Sequence, residues 1–189
     1  MHKLLPALVA VGAIAFGINA LVASGASNQQ YVYGGGHFNV NFGAGNPSPP
    51  RDFSLAATGS PTAASGRILA GQDQSGGGGG LSITVLCYAI SPATNTSGGR
   101  TAVVGGTIDN GPQAGNQIVF FVQDNTTPGG PAGVYDQASA FYTGPSGFLT
   151  IGRKGTSCPD PDSTAVGPSD NSAPVLYSDV TSGDVVVSG

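Results

Sequence analysis

The chain has 189 residues, with ten acidic and six basic side chains, a formal net charge of −4 and only 8% charged residues. A chain of this length forms one domain more readily than two. Its acidic balance, without any basic stripe, argues against nucleic acid as a partner and against binding to anionic membrane surfaces.

All ten acidic residues are Asp, and the chain contains no Glu. The exposed faces of helices usually rely on Glu, Lys, Leu and Ala, whereas Asp favours turns and caps. The 32 Gly and 14 Pro residues act in the same direction, because both interrupt helices. The composition therefore favours a fold of strands and turns.

The beginning of the chain has the pattern of a secretory signal. His2 and Lys3 give a positive start, an apolar run extends from Leu4 to Phe16, and small residues lead up to Ala26. This order is typical of a cleaved signal peptide, and the small residues place the cleavage after Ala26.

We therefore predict a signal peptide at 1–26 and a single secreted, extracellular β-domain at 27–189, with no membrane contact after cleavage. The alternative is a permanent membrane anchor, since the stretch 4–22 is nearly long enough to span a bilayer. Asn19 interrupts that stretch and no basic cluster follows it, so cleavage is favoured.

Hydrophobic residues of the remaining chain alternate with polar or small ones, which is the signature of strands with two distinct faces. The residues that this alternation points inward are Phe38, Val40, Phe53, Leu55, Ile83, Val85, Val104, Ile108, Phe120 and Val122. Gly, Pro, Asn and Asp separate about ten such short segments, and helical crossovers are missing. We predict an all-β fold, an antiparallel β-sandwich, with a small β-barrel as the alternative.

Two cysteines, Cys87 and Cys158, are present in the predicted mature chain. In an oxidising compartment two thiols most simply form one disulfide, and a pair of buried free thiols is the alternative. Cys87 continues the alternation of Ile83 and Val85, which predicts that its side chain points into the core.

Two further stretches are predicted to be loops. The segment 75–80 is rich in glycine, and it lacks the Lys and Ser or Thr that would follow a phosphate-binding loop, so it is interpreted as a flexible connection. The segment 157–172 is polar and contains proline, which predicts a loop held at Cys158.

Several segments of the chain together resemble a known kind of exported protein. These segments are GGGHFNVNF at 34–42, FSLAA at 53–57, ITVLCYAI at 83–90, RTAVVGGTI at 100–108 and IVFFVQDN at 118–125. Over about residues 34–142 the chain resembles a family of secreted β-domains in exported proteins of high-GC bacteria. The resemblance implies an exported, β-sandwich-like module and implies no established activity. The tail after Tyr142 departs from the family's pattern.

His37 is the only histidine beyond the signal segment, and the alternation places it on the polar face of its strand. No G-x-S-x-G motif accompanies it, and the chain has too few His and Cys residues for a zinc site. We therefore predict no catalytic residue. The alternative is a small secreted hydrolase that uses His37 as its base.

Asp124 and Asn125 end the strongest predicted strand, and Asp136 follows after a glycine- and proline-bearing loop. Calcium takes oxygen ligands from carboxylates, amides and backbone carbonyls, so these three residues are a candidate calcium site. The alternative is that their side chains bond nearby N–H groups and cap turns. No other cofactor is predicted.

The sequence thus favours a non-catalytic, secreted structural or binding module that acts on an unknown protein or cell-envelope partner. A carbohydrate-binding domain is a further alternative, because Tyr31, Tyr33 and Tyr135 could provide aromatic platforms for sugars. The absence of Trp weighs against that alternative.

Overall fold

In the computed structural model of the protein, the described residues are 30–45, 49–60, 63–72, 80–125, 134–145, 158–167 and 172–189. Within these ranges the chain forms strands, turns and bends, with no helix. No helix able to cross a membrane is therefore found in the described part of the chain. The predicted signal peptide at 1–26, and the glycine-rich loop except for Gly80, lie outside the described residues.

Eleven strands are present in the described residues. They are β1 (Gln30–Asn39), β2 (Pro50–Ser60), β3 (Ala63–Gln72), β4 (Leu81–Thr94), β5 (Arg100–Ile108), β6 (Gln117–Asp124), β7 (Gln137–Ser139), β8 (Tyr142–Gly144), β9 (Ala165–Val166), β10 (Ala173–Pro174) and β11 (Tyr177–Ser188).

Nine of these strands form one antiparallel sheet that closes on itself. Their order is β5-β4-β3-β2-β1-β11-β7-β6-β8, and β5 also pairs with β6. Strands β7 and β8 bond successive segments of the same edge of β6, so the closed circuit contains eight strands. Most neighbours in the circuit are also neighbours in the chain, which is the arrangement of an up-and-down barrel.

The all-β prediction is confirmed, and of the two predicted architectures the protein has the small β-barrel. Alternation of apolar and polar residues is common to sandwiches and barrels, because both have one buried face for each strand. The two architectures differ in whether the outermost strands pair with each other. Here the pairing of β5 with β6 and of β1 with β11 leaves no open side.

The main hydrophobic core fills the inside of the barrel. All ten residues predicted to face inward are buried there. Four phenylalanines pack together there: Phe38, Phe53, Phe120 and Phe141. The rings of Phe120 and Phe141 stack with centroids 4.3 Å apart, and Phe53 meets Phe120 edge-on at 5.2 Å. An eight-stranded barrel is just wide enough for side chains to fill it, so this interior is a packed core and not a channel.

A β-bulge in β4 reverses the faces of that strand midway. Val85 pairs with Gly106 and Cys87 pairs with Gly105, so Leu86 is the extra residue. A β-carbon on Gly106 would lie 2.3 Å from the Thr84 carbonyl oxygen, so only glycine fits opposite the bulge. As a result, the side chain that follows the bulge on the inner face is that of Tyr88, which is fully buried.

The prediction that Cys87 points into the main core is therefore wrong. Cys87 belongs to a second hydrophobic cluster, on the outer wall of the barrel, together with Val103, Val119 and Phe121. The alternation read from Ile83 and Val85 does not continue past the bulge, because one extra residue moves every later side chain to the opposite face.

The outer cluster is covered by residues 158–167 and 172–176, which we call the outer segment. Cys158 forms a disulfide with Cys87, as predicted, and Val166 and Val175 pack on the same apolar patch. The short pairing of β9 with β10 belongs to this segment. The predicted polar loop at 157–172 is therefore, in its described part, a cover for the barrel wall.

Strand β1 includes three consecutive glycines, Gly34, Gly35 and Gly36. Glycine usually weakens a strand and often marks a bulge or a close approach of another backbone. A β-carbon on Gly36 would lie 2.3 Å from the carbonyl oxygen of Ser182 and 2.4 Å from a methyl carbon of Val180. Glycine at this position therefore lets β11 approach β1 closely beside a second bulge.

The disulfide predicts a measurable dependence of stability on redox state. It joins residues separated by 71 positions, and closing a loop of that length restricts the unfolded chain by up to about 4 kcal/mol. We expect reductant to lower the free energy of unfolding of the wild-type protein by up to this amount in urea titrations. The double variant Cys87→Ala/Cys158→Ala is the control, because its unfolding must not respond to reductant. Equal wild-type stabilities with and without reductant would contradict the prediction.

Candidate functional site

In the described part of the chain, one end of the barrel is open and contains a cavity of about 500 Å³, which we call the mouth. The end of β3 and the beginnings of β2 and β4 surround it. The residues that line it are Val40, Phe42, Arg51, Ala70, Gly71, Leu81, Pro112, Gln113, Phe141 and Thr143. The mouths of small barrels are frequent sites for small ligands, and the lining here is mostly apolar.

The floor of the mouth continues the aromatic core. Phe141, which stacks on Phe120, lines the cavity from below, and Val40 is buried beside it. Phe42 lies at the rim, where 52% of its surface is exposed to solvent. The exposed part of this aromatic side chain offers apolar surface to a ligand in the cavity.

A second depression of similar volume lies on the outer wall, bordered by Asp52, Leu69 and Asn110. It is more open to solvent than the mouth. Enclosure determines how much of a small ligand is removed from water, so the mouth is the better candidate for a binding site.

Arg51 is the one lining residue of the mouth that carries a charge. One of its guanidinium nitrogens donates to the carbonyl oxygen of Pro50 at 3.3 Å. Sequence reasoning missed this residue. The signal was available in the alternation, because Arg51 lies two positions before the inward-facing Phe53, but the sequence did not show that the barrel is open at this end.

The predicted calcium residues do come together, at the seam between β6 and β11. Both oxygens of the buried Asp136 accept backbone N–H bonds, from Asn125 at 2.9 Å and from Val185 at 2.7 Å. An oxygen of Asp124 accepts the N–H of Val187 at 3.0 Å. These are bonds from backbone N–H groups, as in the alternative interpretation. The bond from Asn125 links the residue after β6 to the residue before β7, whereas the bonds from Val185 and Val187 come from β11.

Burial raises the pKa of the Asp124 carboxyl above its ordinary value. The hydrogen bond from the Val187 N–H acts in the opposite direction, while the negative charges of Asp136 and Asp184 raise the pKa further. The folded protein therefore holds a carboxylate whose charged form is disfavoured by its surroundings.

The calcium site stays a prediction. Among the described residues, no group of three or more His, Cys, Asp or Glu side chains has an arrangement that could hold a metal ion. That search does not consider amide or backbone oxygens, which calcium also accepts. Burial is the main cause of the raised pKa of Asp124, and a cation nearby would nevertheless relieve the repulsion from Asp136 and Asp184 that adds to it.

His37 lies on the outer wall, and its Nδ1 is 2.8 Å from an oxygen of Asp52 on the neighbouring strand. Ser182 is its cross-strand partner on the other side. A hydrolase also needs a hydroxyl bonded to the second ring nitrogen. Within the described ranges the His37 ring bonds to Asp52, and the hydrolase stays an alternative.

Two of the three tyrosines considered as sugar platforms form one surface. The rings of Tyr31 and Tyr33 stack with centroids 5.4 Å apart on the outer wall of β1, and Tyr33 is 49% exposed. Tyr135 is similarly exposed but lies elsewhere, next to the seam, where its carbonyl oxygen accepts a bond from the Asn125 amide.

The raised pKa of Asp124 predicts the direction of a pH effect on stability. Because the folded state holds a proton on this carboxyl more tightly than the unfolded state does, stability from this group falls as the pH rises through the raised pKa. Asp124→Asn keeps an oxygen for the Val187 N–H and removes the charge. We expect the variant to melt at a higher temperature than wild type at neutral pH, and the difference to shrink as the pH is lowered.

The same melts also test calcium. The calcium hypothesis expects a rise in the wild-type melting temperature with calcium compared with chelator, and no such rise for Asp124→Asn. Equal wild-type melting temperatures with calcium and with chelator mean that the carboxylates only accept hydrogen bonds from backbone N–H groups and do not bind calcium. The variant Asp160→Asn is the control for a general loss of negative charge, because Asp160 lies in a turn of the outer segment. A lower melting temperature for Asp124→Asn than for wild type at neutral pH contradicts the pH prediction.

Comparison with protein-family models, with curated proteins and with solved structures finds no match to this chain. The resemblance to secreted β-domains of high-GC bacteria therefore stays a prediction. Function has to be inferred from the cavity, the charges and the contacts of the barrel itself.

Proposed function

We propose that the protein is a secreted, non-catalytic binding module that holds a small, largely apolar molecule in the mouth of its barrel. The observation that supports this proposal best is the cavity of about 500 Å³, with its mainly apolar lining and its exposed Phe42 at the rim. The volume lies within the range that small-molecule sites usually have.

The packing of the barrel supports the mouth over a deeper site. The phenylalanine cluster fills the centre, and at the opposite end the buried Tyr88 hydroxyl lies 3.0 Å from the carbonyl oxygen of Gln30 and 2.6 Å from that of Gly59. A ligand would therefore rest on the aromatic floor and not enter the core.

Secretion is part of the proposal. The Cys87–Cys158 disulfide indicates a non-reducing environment. The pattern of the first 26 residues is typical of a signal peptide, which supports export followed by cleavage of the signal. A barrel whose outer segment is held by a disulfide suits an extracellular module, because the cross-link restricts the unfolded chain.

Removing the Phe42 ring should weaken binding of an apolar probe. We expect decanol to bind the wild-type mature protein in calorimetric titrations and to bind Phe42→Ala about fivefold more weakly, since the loss of half an aromatic side chain's contact is worth about 1 kcal/mol. Tyr33→Ala is the matched control, because Tyr33 is exposed to nearly the same extent but lies on the outer wall. Failure of wild type to bind both decanol and its carboxylate counterpart, decanoate, or equal decanol affinities for the two variants, would overturn the proposal.

A carbohydrate-binding surface is the second candidate, and the Tyr31–Tyr33 stack is the observation that favours it. Adjacent exposed aromatic rings provide the apolar faces on which sugar rings pack. The same two variants test this candidate with their roles exchanged. On a glycan array, Tyr33→Ala should lose a signal that Phe42→Ala, now the control, retains. A wild-type protein without any glycan signal would rule this candidate out.

A further inference from the structure

We propose that the molecule held in the mouth carries an acidic group, such as a carboxylate, and that Arg51 binds it. This inference rests on the proposed function, because it identifies the chemical class of the ligand for the same cavity. It predicts a small amphiphile with its apolar part on the aromatic floor and its acidic group at the rim.

The first argument is the direction in which Arg51 enters the barrel. In β2 the inward-facing residues are Phe53, Leu55 and Ala57, and Arg51 continues that series toward the open end. Its partner across the sheet is the buried Phe38 of β1. The guanidinium therefore lines the mouth, while the next residue, Asp52, turns to the outer wall.

The second argument is that the described acidic side chains pair with other residues than Arg51. In the described part of the chain, Asp52 bonds to His37 and Asp109 pairs with Arg67, and neither contact involves Arg51. The described residues that line the mouth include no Asp or Glu. The acid closest to Arg51 in sequence is thus paired with a histidine on the other side of the wall.

The third argument is the cost of covering this cation. Guanidinium has five N–H donors, and a ligand that fills the mouth would remove part of their hydration. A neutral apolar ligand leaves that loss uncompensated, whereas a carboxylate replaces water with charge-assisted hydrogen bonds, often two in parallel. Gln113 and Thr143, the polar side chains that share the lining, supply additional hydrogen-bonding groups for the same oxygens.

The experiment compares three probes of equal chain length: decanoate, decanol and decylamine. We expect wild-type protein to bind decanoate at least about tenfold more tightly than decanol, because charge-assisted bonds exceed neutral ones. Decylamine should bind most weakly, because its ammonium would face Arg51. Arg51→Gln should abolish the preference, so that decanoate and decanol bind with similar affinities, and Arg51→Lys should retain part of the preference.

Arg67→Gln is the control for a change in net charge, because Arg67 lies on the outer wall beside Ser82 and Asp109. It should leave the preference for decanoate intact, and melting curves should show that all variants are folded. Equal binding of decanoate and decanol by wild type, or an unchanged preference in Arg51→Gln, overturns this inference and leaves the proposed function standing. Failure of all three probes to bind overturns both.

Discussion

Closure of the barrel depends on two aspartates, because the pairing of β7 with β11 is too short to bond the whole length of β11. Strand β7 has three residues, whereas β11, which it must bond, has 12. The N–H groups of Val185 and Val187 lie beyond the reach of β7, and buried backbone donors without partners are costly. The carboxylates of Asp136 and Asp124 accept these two bonds, so side chains replace the missing backbone acceptors.

This solution fixes the position of β11 at the cost of placing negative charge in a partly buried seam. With its N–H groups held, β11 directs Val180, Val185 and Val187 into the core. The carbonyl oxygen of Asp136 accepts the N–H of Val180 as well, so one residue bonds both halves of the strand. On the opposite side of β11, the glycines of β1 allow the close contact that a side chain would prevent.

The alternation of residues predicted the parts of the fold that depend on one strand at a time. It identified the inward face of β2, β5 and β6 because those strands have no bulge in their buried stretch. It did not separate a barrel from a sandwich, because that difference depends on pairings such as β5 with β6, which no single segment shows. It also could not show the bulge at Leu86, which depends on the glycines of the partner strand.

For the candidate sites too, the sequence predicted what neighbouring residues determine and missed what distant strands contribute. The turn-based argument grouped Asp124, Asn125 and Asp136 correctly in space, because they flank one loop and the chain returns there. The argument could not assign their partners, since Val185 and Val187 come from a strand far along the chain. The mouth was not predicted either, because Phe42, Arg51 and Phe141 meet only when the barrel has closed.

The pairing of β1 with β11 also determines the order in which the barrel can be assembled. Strands β1 to β6 pair with their successors through short connections, but Tyr31 meets Ser188 across nearly the whole described fold. Closing such a long loop is entropically slow, so the meander of hairpins forms first and the last strand docks afterwards. Until then, β1 presents an unpaired edge and the phenylalanine interior is open to water, which is the state most prone to aggregation. We therefore expect the lifetime of the open sheet, more than the stability of the closed barrel, to determine how much of the protein aggregates during folding.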